Sequence, residues 1–510
     1  MVHISWQQIE QELTKAQVSL EPSARLIQDS RNIEQGDVFV ALKGIDLDGA
    51  GYIDKALTSG AVCVLVSSLC DTSLYSPRAN VFVIEQLEKH LGALSKEFYL
   101  KDKTVPMPVI AVTGTNGKTS VSHLLAQLSQ ICLAQEAAVI GTMGAGSINA
   151  LEATANTTPG VTEIYRLIKE FVENNFGSLT MEVSSHALDQ KRIEGLDFDV
   201  AIYTNLTLDH LDYHGDMESY FLAKSKLFTE YSPKCAVINI DDEYGVRLAE
   251  IVSEHTRVVA YGKSELVKGY SDYVYIKSFE CHEHGLILDL EWQVIGAKES
   301  AQLLMPIYGE FNCSNIAAVF ATALTLNWPI LPTHFSQLKA VPGRLELFVK
   351  PNVPIAIVDY AHTPDALEQS LSAVRKHLCG ELYVIFGCGG DRDTSKRPLM
   401  GKLAEELADH VIITNDNPRT ESPESIIADI EAGMSENKHQ VIFDRKEAII
   451  TTLSVAKEND AILIAGKGHE TYQVIGTEMI EYNERKFVKN LFKKSSKALK
   501  RKDAKIKAKK

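Results

Sequence analysis

Apolar and polar positions divide this chain into short buried strands and amphipathic helices. The clearest stretch is Val109 to Leu128, V-I-A-V-T-G-T-N-G-K-T-S-V-S-H-L-L-A-Q-L. Its unbroken apolar run ending at Val112 predicts a buried parallel strand. Val121, Leu124, Leu125 and Leu128 recur at helical spacing, so Thr113 to Gly117 must be a strand-to-helix loop. The same rhythm returns from Pro354 onward: I-A-I-V-D-Y-A-H-T-P-D-A-L-E, then L-Y-V-I-F-G-C-G-G-D-R-D, H-V-I-I-T-N-D-N-P-R and A-I-L-I-A-G-K-G-H-E. Each apolar run ends in a polar or glycine-bearing loop. That pattern predicts a doubly wound parallel sheet whose four loops gather at the carboxyl edge, where such sheets bind ligands. Elsewhere, Val38 to Leu42, Leu179 to Val183 and Val200 to Thr204 read as short strands, a helix starts near Gly160, and Gly309 to Asn315 reads as a loop leading into a buried helix.

Composition narrows the class. A chain of 510 residues, 45% hydrophobic and 23% charged, is an ordinary soluble globular protein with material for about three domains. The fold class expected is α/β. Residues 1–105 form a small first domain, 106–340 a central domain with a P-loop ATPase-like parallel sheet, and 341–492 a Rossmann-like domain entered through Pro342-Gly343-Arg344. No apolar run approaches the roughly 18 residues of a membrane span, and Met1 to Leu20 carries acids where a signal peptide needs a basic and then an apolar block, so a cytoplasmic protein is expected. Eight scattered cysteines without a C-x-x-C pair suggest neither a disulfide framework nor a zinc site. The net charge of -15 conceals a basic tail, Lys493 to Lys510, with ten Lys or Arg against one acid. Such a tail is a solvated disordered end or a contact for anionic lipid or nucleic acid.

The loop at Gly114 to Ser120 suits a phosphate chain. Backbone N–H groups opening a helix lack internal partners and sit at the positive end of its dipole, and Gly114 and Gly117 let that backbone approach closely. Lys118 can reach terminal phosphates and Thr119 can offer its hydroxyl to Mg2+. The general P-loop pattern would place another glycine where Val112 stands. Glu182, closing the Leu179 strand before Ser184-Ser185-His186, is placed to hold Mg2+ or else to cap a helix. The loop after Thr204 carries Asp209, His210, Asp212, His214 and Asp216, either metal ligands or a polar turn of hydrogen-bonded histidines. Asp29 to Gly44 and Asp416-Asn417-Pro418-Arg419 could be ligand loops but read, taken alone, as turns, the latter as a helix start with a surface arginine.

In sequence order, Gly114 to Thr119, Asn156 to Pro159, Glu182 to His186, Thr207 to His214, Gly343-Arg344, Asp359 to Pro364, Asp391-Arg392 and Gly466 to Glu470 resemble the motifs of the Mur ligase family. The resemblance covers everything except the tail. It implies ATP-dependent addition of meso-2,6-diaminopimelate to UDP-N-acetylmuramoyl-L-alanyl-D-glutamate through an acyl phosphate, in peptidoglycan precursor synthesis, by a monomer that binds no nucleic acid and completes its ATP site when the domains close. By motif matching, Ser30 meets the uridine end of the substrate, and Thr157, Thr158, Ser184, Gln190 and Arg192 meet the muramoyl-peptide portion. Gly114, Thr115, Asn116, Gly117, Lys118, Thr119, Ser120, Asn315, Arg344, Asp359 and His362 serve ATP. Two Mg2+ ions are implied, one at Thr119 and Glu182 and one at His210 and Lys224, with Lys224 carbamylated to an anionic N6-carboxylysine; Lys226 in the same A-K-S-K run is the competing lysine. Arg392, Asp416, Asn417, Pro418, Arg419, Gly466 and Glu470 match the diaminopimelate contacts. Arg419 would read the distal carboxylate that distinguishes diaminopimelate from lysine, at several kcal/mol against an analogue lacking it. The alternatives are a lysine-adding or folylpolyglutamate-type ligase, and a P-loop protein that binds nucleotide for regulation.

Overall fold

The computed structural model describes residues 5–44, 47–101, 103–435 and 438–493. The basic tail therefore lies, from residue 494 on, outside the described residues. Two compact units divide the chain: Met1–Ala260 with Ala321–Pro329, and Tyr261–Phe320 with Ile330–Lys510.

The first unit opens with helix α1 (Trp6–Lys15), followed by β1 (Leu26–Ile27), β2 (Val38–Ala41), helix α2 (Ile53–Thr58), β3 (Cys63–Ser67), β4 (Val81–Ile84) and helix α3 (Leu87–Leu100). The four strands pair in parallel in sequence order. One face buries Phe39, Ala41, Val64 and Val66 against Ile53 and Ala56. Then come β5 (Val109–Thr113), α4 (Lys118–Leu133), β6 (Ala137–Gly141), β7 (Gly144–Ser147), β8 (Ala150–Glu152), α5 (Val161–Glu173), β9 (Ser178–Glu182), α6 (Ser185–Asp189), β10 (Val200–Tyr203), α7 (Leu211–His214), α8 (Met217–Thr229), β11 (Cys235–Asn239) and α9 (Glu243–Val252). Their strands neighbour in the order β11-β10-β5-β9-β6-β7-β8. Those from β11 to β6 pair in parallel, which aims their carboxyl ends one way and puts the phosphate loop, Glu182 and Thr204 on one edge. β5, β9 and β11 are buried along their whole length, β9 even at Ser178, Thr180 and Glu182.

After β12 (Arg257–Gly262), the second unit holds an antiparallel meander of β13 (Asp272–His282), β14 (Gly285–Val294) and β15 (Ala297–Met305). Helices α10 (Phe311–Thr325) and α11 (Pro332–Phe335) follow. The expected loop at Gly309 to Asn315 is therefore mostly helix. Its polar side chains are satisfied locally: Asn312 Nδ2 donates to the backbone Tyr308 O before α10 at 2.7 Å and Asn315 Nδ2 to Asn312 Oδ1 at 2.9 Å.

The remaining elements are β16 (Glu346–Phe348), β17 (Ile355–Asp359), α12 (Pro364–Arg375), β18 (Leu382–Phe386), α13 (Lys396–Leu407), β19 (His410–Ile413), α14 (Pro423–Glu431), β20 (His439–Val441), α15 (Arg445–Val455), β21 (Ala461–Ala465), β22 (Tyr472–Ile475), β23 (Glu478–Glu481) and α16 (Glu484–Lys493). The main sheet runs β16-β17-β21-β18-β19-β20, parallel except for β16. One core packs Ile357, Val384 and Leu463 against Leu367, Met400 and Ile430, and another packs Val358, Ile385 and Ile464 against Ile449, Val488 and Leu491. Apolar helices thus cover both faces, the doubly wound arrangement expected. No disulfide forms among the described residues, and Cys63, Cys70, Cys235, Cys313 and Cys388 are buried.

Candidate active site

The phosphate loop is held open from beneath. Gly114 has φ +144°, and a Cβ there would meet Thr204 Oγ1 at 1.9 Å, so only glycine lets β5 turn this tightly against the end of β10. Thr204 Oγ1 donates to Asn116 O at 2.6 Å, Asn205 O accepts from Thr115 N at 2.8 Å, and Asn205 Oδ1 accepts from Asn116 N at 2.9 Å. Thr207 N donates to Thr115 Oγ1 at 3.0 Å. Gly117, also at positive φ, precedes α4, whose first turn carries Lys118, Thr119 and Ser120. Lys118 curls back onto its own loop, donating to Gly114 O at 2.8 Å and Thr115 O at 2.9 Å.

Glu182 closes β9 and is fully buried, so it is neither a surface acid nor a cap; the cap of α6 is Ser184. Its carboxylate accepts from Thr119 Oγ1, Thr142 Oγ1 and Thr142 N, each at 3.0 Å. A Cβ on Gly141 would lie 2.3 Å from Oε1, which makes that glycine a requirement of the acid's position. A buried carboxylate beside a threonine hydroxyl, with neutral donors as its hydrogen-bond partners, is an oxygen set that fits a hard divalent cation.

Lys224, on α8, is 1% exposed, with Nζ donating to Gly114 O at 2.9 Å and lying 4.6 Å from the centre of the Tyr220 ring. Burial, aided by the positive charge of Lys118, holds its amine well below the usual lysine range. Lys226 instead pairs with Asp189 at 3.0 Å near the surface, which separates the two candidate lysines. His210 takes φ +53° before α7, its ring 3.5 Å from Asp209 and 5.1 Å centre-to-centre from His186. His214 Nε2 lies 2.9 Å from Ser185 Oγ. Among the described residues no three His, Cys, Asp or Glu side chains gather as a metal site, and the rings of His186, His210, Tyr213 and His214 pack against one another in this loop.

The residues expected on the muramoyl-peptide come together. Thr158 Oγ1 donates to Glu182 O at 2.9 Å and accepts from Ser184 N at 3.1 Å. Arg192 donates to Thr158 O at 3.0 Å and, through Nε and Nη2, to Gln190 Oε1 at 3.0 and 2.6 Å. Thr157 Oγ1 lies 3.2 Å from Thr142 Oγ1. Ser30 is buried in a one-turn helix capped by Asp29, two residues beyond Gln28, whose Oε1 would lie 3.3 Å from a Cβ on Gly160.

In the second unit the loops after β17, β18, β19 and β21 converge as expected. Asp416, Asn417 and Pro418 are buried and α14 starts only at Pro423, so this run is not a helix start. Arg419, half-buried at φ +52°, donates from Nη1 to Gly390 O at 2.7 Å, and a Cβ on Gly389 would lie 3.1 Å from that nitrogen and 3.8 Å from Cγ of Arg392. Left-handed backbone is uncommon for so long a side chain; here it is held by Arg419 N donating to Val474 O and Gly476 N donating to Arg419 O. Asn417 Nδ2 lies 3.3 Å from Glu470 Oε2, and Gly466 N donates to Asp359 O at 3.1 Å. Asp359 spends its carboxylate on Leu345 N, Ala361 N and Ser370 Oγ. Arg344 is exposed, its guanidinium 5.1 Å from the Tyr360 ring centre, and the His362 ring lies 4.7 Å from the same ring. Asn315 sits on α10.

Three domain patterns of one family match the chain: "Mur ligase family, catalytic domain" over residues 26–99, "Mur ligase middle domain" over 112–323, and "Mur ligase, glutamate ligase domain" over 343–468. The chain belongs to the Mur ligase family. It is 42% identical over 479 residues to the UDP-N-acetylmuramoyl-L-alanyl-D-glutamate--2,6-diaminopimelate ligase of Haemophilus influenzae, covering 92% of this chain and 96% of that one. A solved structure with the same printed name matches at a TM-score of 0.69 and 33% identity, over 92% of this chain and 94% of that one. A MurF ligase from Thermotoga maritima in complex with ADP matches at a TM-score of 0.56 and 21% identity, over 87% and 94%, a likeness of fold alone.

Several residues of this Mur ligase site were missed by the sequence reading. Thr142 opens no recognisable motif, yet it holds Glu182 through two bonds. Lys467 is fully buried among Asp416, Asn417 and Glu470. The β22–β23 hairpin, bridged to Arg419 through Ile475, left no sequence signal strong enough to place it.

Proposed function

We propose that this chain is an ATP-dependent ligase that joins meso-2,6-diaminopimelate to UDP-N-acetylmuramoyl-L-alanyl-D-glutamate. The reading is carried by identity maintained across nearly the whole chain to a relative of that printed activity, and it is supported by an arginine held at the second sheet's carboxyl edge. The chemistry takes two steps. A carboxylate is a poor electrophile, so the substrate's terminal carboxylate first attacks the γ-phosphorus of ATP, releasing ADP and leaving an acyl phosphate. The amine of the incoming amino acid then attacks the acyl carbon, loses its proton, and expels inorganic phosphate as the amide forms.

Each residue set has a task in this scheme. The α4 amides and Lys118, released from its loop carbonyls, hold the triphosphate. Thr119, Glu182, His210 and the carbamate of Lys224 would hold Mg2+, the last because an ammonium cannot ligate a cation and a carbamate can. Bound there, Mg2+ supplies positive charge against the phosphates and the attacking carboxylate. Thr157, Thr158, Ser184, Gln190 and Arg192 hold the muramoyl-peptide, and Ser30 the uridine end. Arg419 and Arg392 read the distal carboxylate of diaminopimelate, while Asp416, Asn417 and Glu470 read its ammonium. Among the described residues no helix is long and apolar enough to cross a membrane and no disulfide forms, and nucleotide-linked substrates suit the cytoplasm.

The test is phosphate release from ATP by the full-length protein. Release should require both the uridine-linked dipeptide and diaminopimelate, and omission of either should reduce it to background. Turnover indifferent to both would favour a nucleotide-binding regulator.

A further inference from the structure

We propose that Lys467 is the positioning residue of the amino-acid pocket: its buried ammonium presets Asp416, Asn417 and Glu470 in one array and leaves that array with a single net negative charge for the incoming ammonium. The inference rests on the function proposed above, because that reading assigns those three side chains to the amino acid.

Lys467 follows the last strand of the parallel core, between Gly466 and Gly468, and its side chain is completely buried. Nζ donates to Asn417 Oδ1 at 2.6 Å and to Glu470 Oε2 at 3.1 Å, and sits 3.0 Å from Asp416 Oδ1. That last contact is one of charge, since Asp416 Oδ1 is buried without a directed hydrogen bond. The Tyr472 ring centre lies 5.8 Å away. Two consequences follow from a donor-only group at this point.

The first is orientation. An ammonium cannot accept a hydrogen bond, so the Asn417 amide must turn its oxygen inward, where it also accepts from Val474 N at 2.9 Å. Its Nδ2 is thereby aimed at Glu470 Oε2, at 3.3 Å. With a neutral residue at 467 the amide can flip and the carboxylate loses two of its directing contacts.

The second is charge. Asp416 and Glu470 would bring two negative charges into a largely buried pocket; Lys467 cancels one. Of the neighbouring buried ions, Arg445 pairs with Glu484 and donates to Ala465 O, and its charge also acts on Asp416. Within the Asp416–Asn417–Glu470 array one unit of negative charge then remains for an ammonium, beside the Arg419 and Arg392 guanidiniums assigned to the carboxylate.

Lys467→Met, Lys467→Gln and Lys467→Arg in the full-length protein test this, each first checked by its thermal unfolding midpoint. A panel of amino acids on the unmutated protein first identifies the one it adds, so that an error in the proposed substrate shows there. The variants are then measured with that same amino acid. Losing contacts to a charged donor should raise KM for the amino acid by about tenfold or more in the Met and Gln variants. KM for ATP should stay within about twofold, and the Arg variant, which keeps the charge, should recover part of the loss. The Gln variant, which keeps a donor, serves where the Met variant does not fold. Equal rises for ATP and amino acid, an unchanged KM for the amino acid, or an Arg variant no better than Gln would overturn the inference.

Discussion

Lys224→Ala is expected to lower turnover by about a hundredfold or more, and formate or acetate is expected to restore part of it, because the variant loses an anionic oxygen donor that a small carboxylate can replace. The structure supplies the physical ground. Lys224 is buried at the phosphate loop, touching Gly114 O, and burial with the adjacent Lys118 charge favours its neutral amine. A neutral amine attacks CO2; an ammonium does not. Carbamylation, as proposed, would convert this buried amine into an oxygen anion beside the phosphate loop. Lys226 provides the internal control: it lies toward the surface with Asp189, so Lys226→Ala should cost less than about twofold. Steady-state phosphate release with and without added carboxylate measures both variants. Loss without rescue, or equal losses at 224 and 226, would contradict the assignment.

Arg419→Ala should raise KM for diaminopimelate by about a hundredfold while leaving KM for ATP within about twofold, since a bidentate arginine–carboxylate pair is lost from the amino-acid pocket alone. The same variant should narrow the preference for diaminopimelate over lysine. The family resemblance implied a penalty of several kcal/mol against lysine at Arg419. The side chain is in fact half-buried and keeps Gly390 O as a partner, so the penalty should sit near about 2 kcal/mol. KM values for both amino acids in the two proteins decide the matter. Parallel losses for ATP and diaminopimelate would remove Arg419 from its proposed role.

Strands buried on both faces were the most legible part of the fold, because a parallel strand must be apolar throughout: Val109–Thr113, Ile355–Asp359, Leu382–Phe386 and Ala461–Ala465 stand where their runs predicted. Loops at their ends were legible where glycine and lysine coincide, as at Gly114 to Lys118. The polar start of α10 was not, since Asn312 and Asn315 look like loop residues until their mutual hydrogen bond is seen. The β13–β15 meander passed unread, its alternation of half-buried positions being weak beside the core runs. Within the site, Glu182 could be given its burial only by the fold. At strand's end an acid reads equally as a cap or a ligand, and only the close approach of Gly141 and Thr142 separates the two. Lys467 was hidden for the opposite reason, as a charged residue in a glycine loop ordinarily reads as solvated.

The central claim is that a carboxylate activated by ATP is joined to the amine of an amino acid bearing a second carboxylate. Its most direct measurement is the mass of the product formed by the full-length protein from ATP, the uridine-linked dipeptide and an equimolar mixture of meso-diaminopimelate and lysine. The account predicts a single dominant product carrying diaminopimelate, formed with one phosphate released per peptide bond. A product carrying lysine, or phosphate released without peptide, would contradict it.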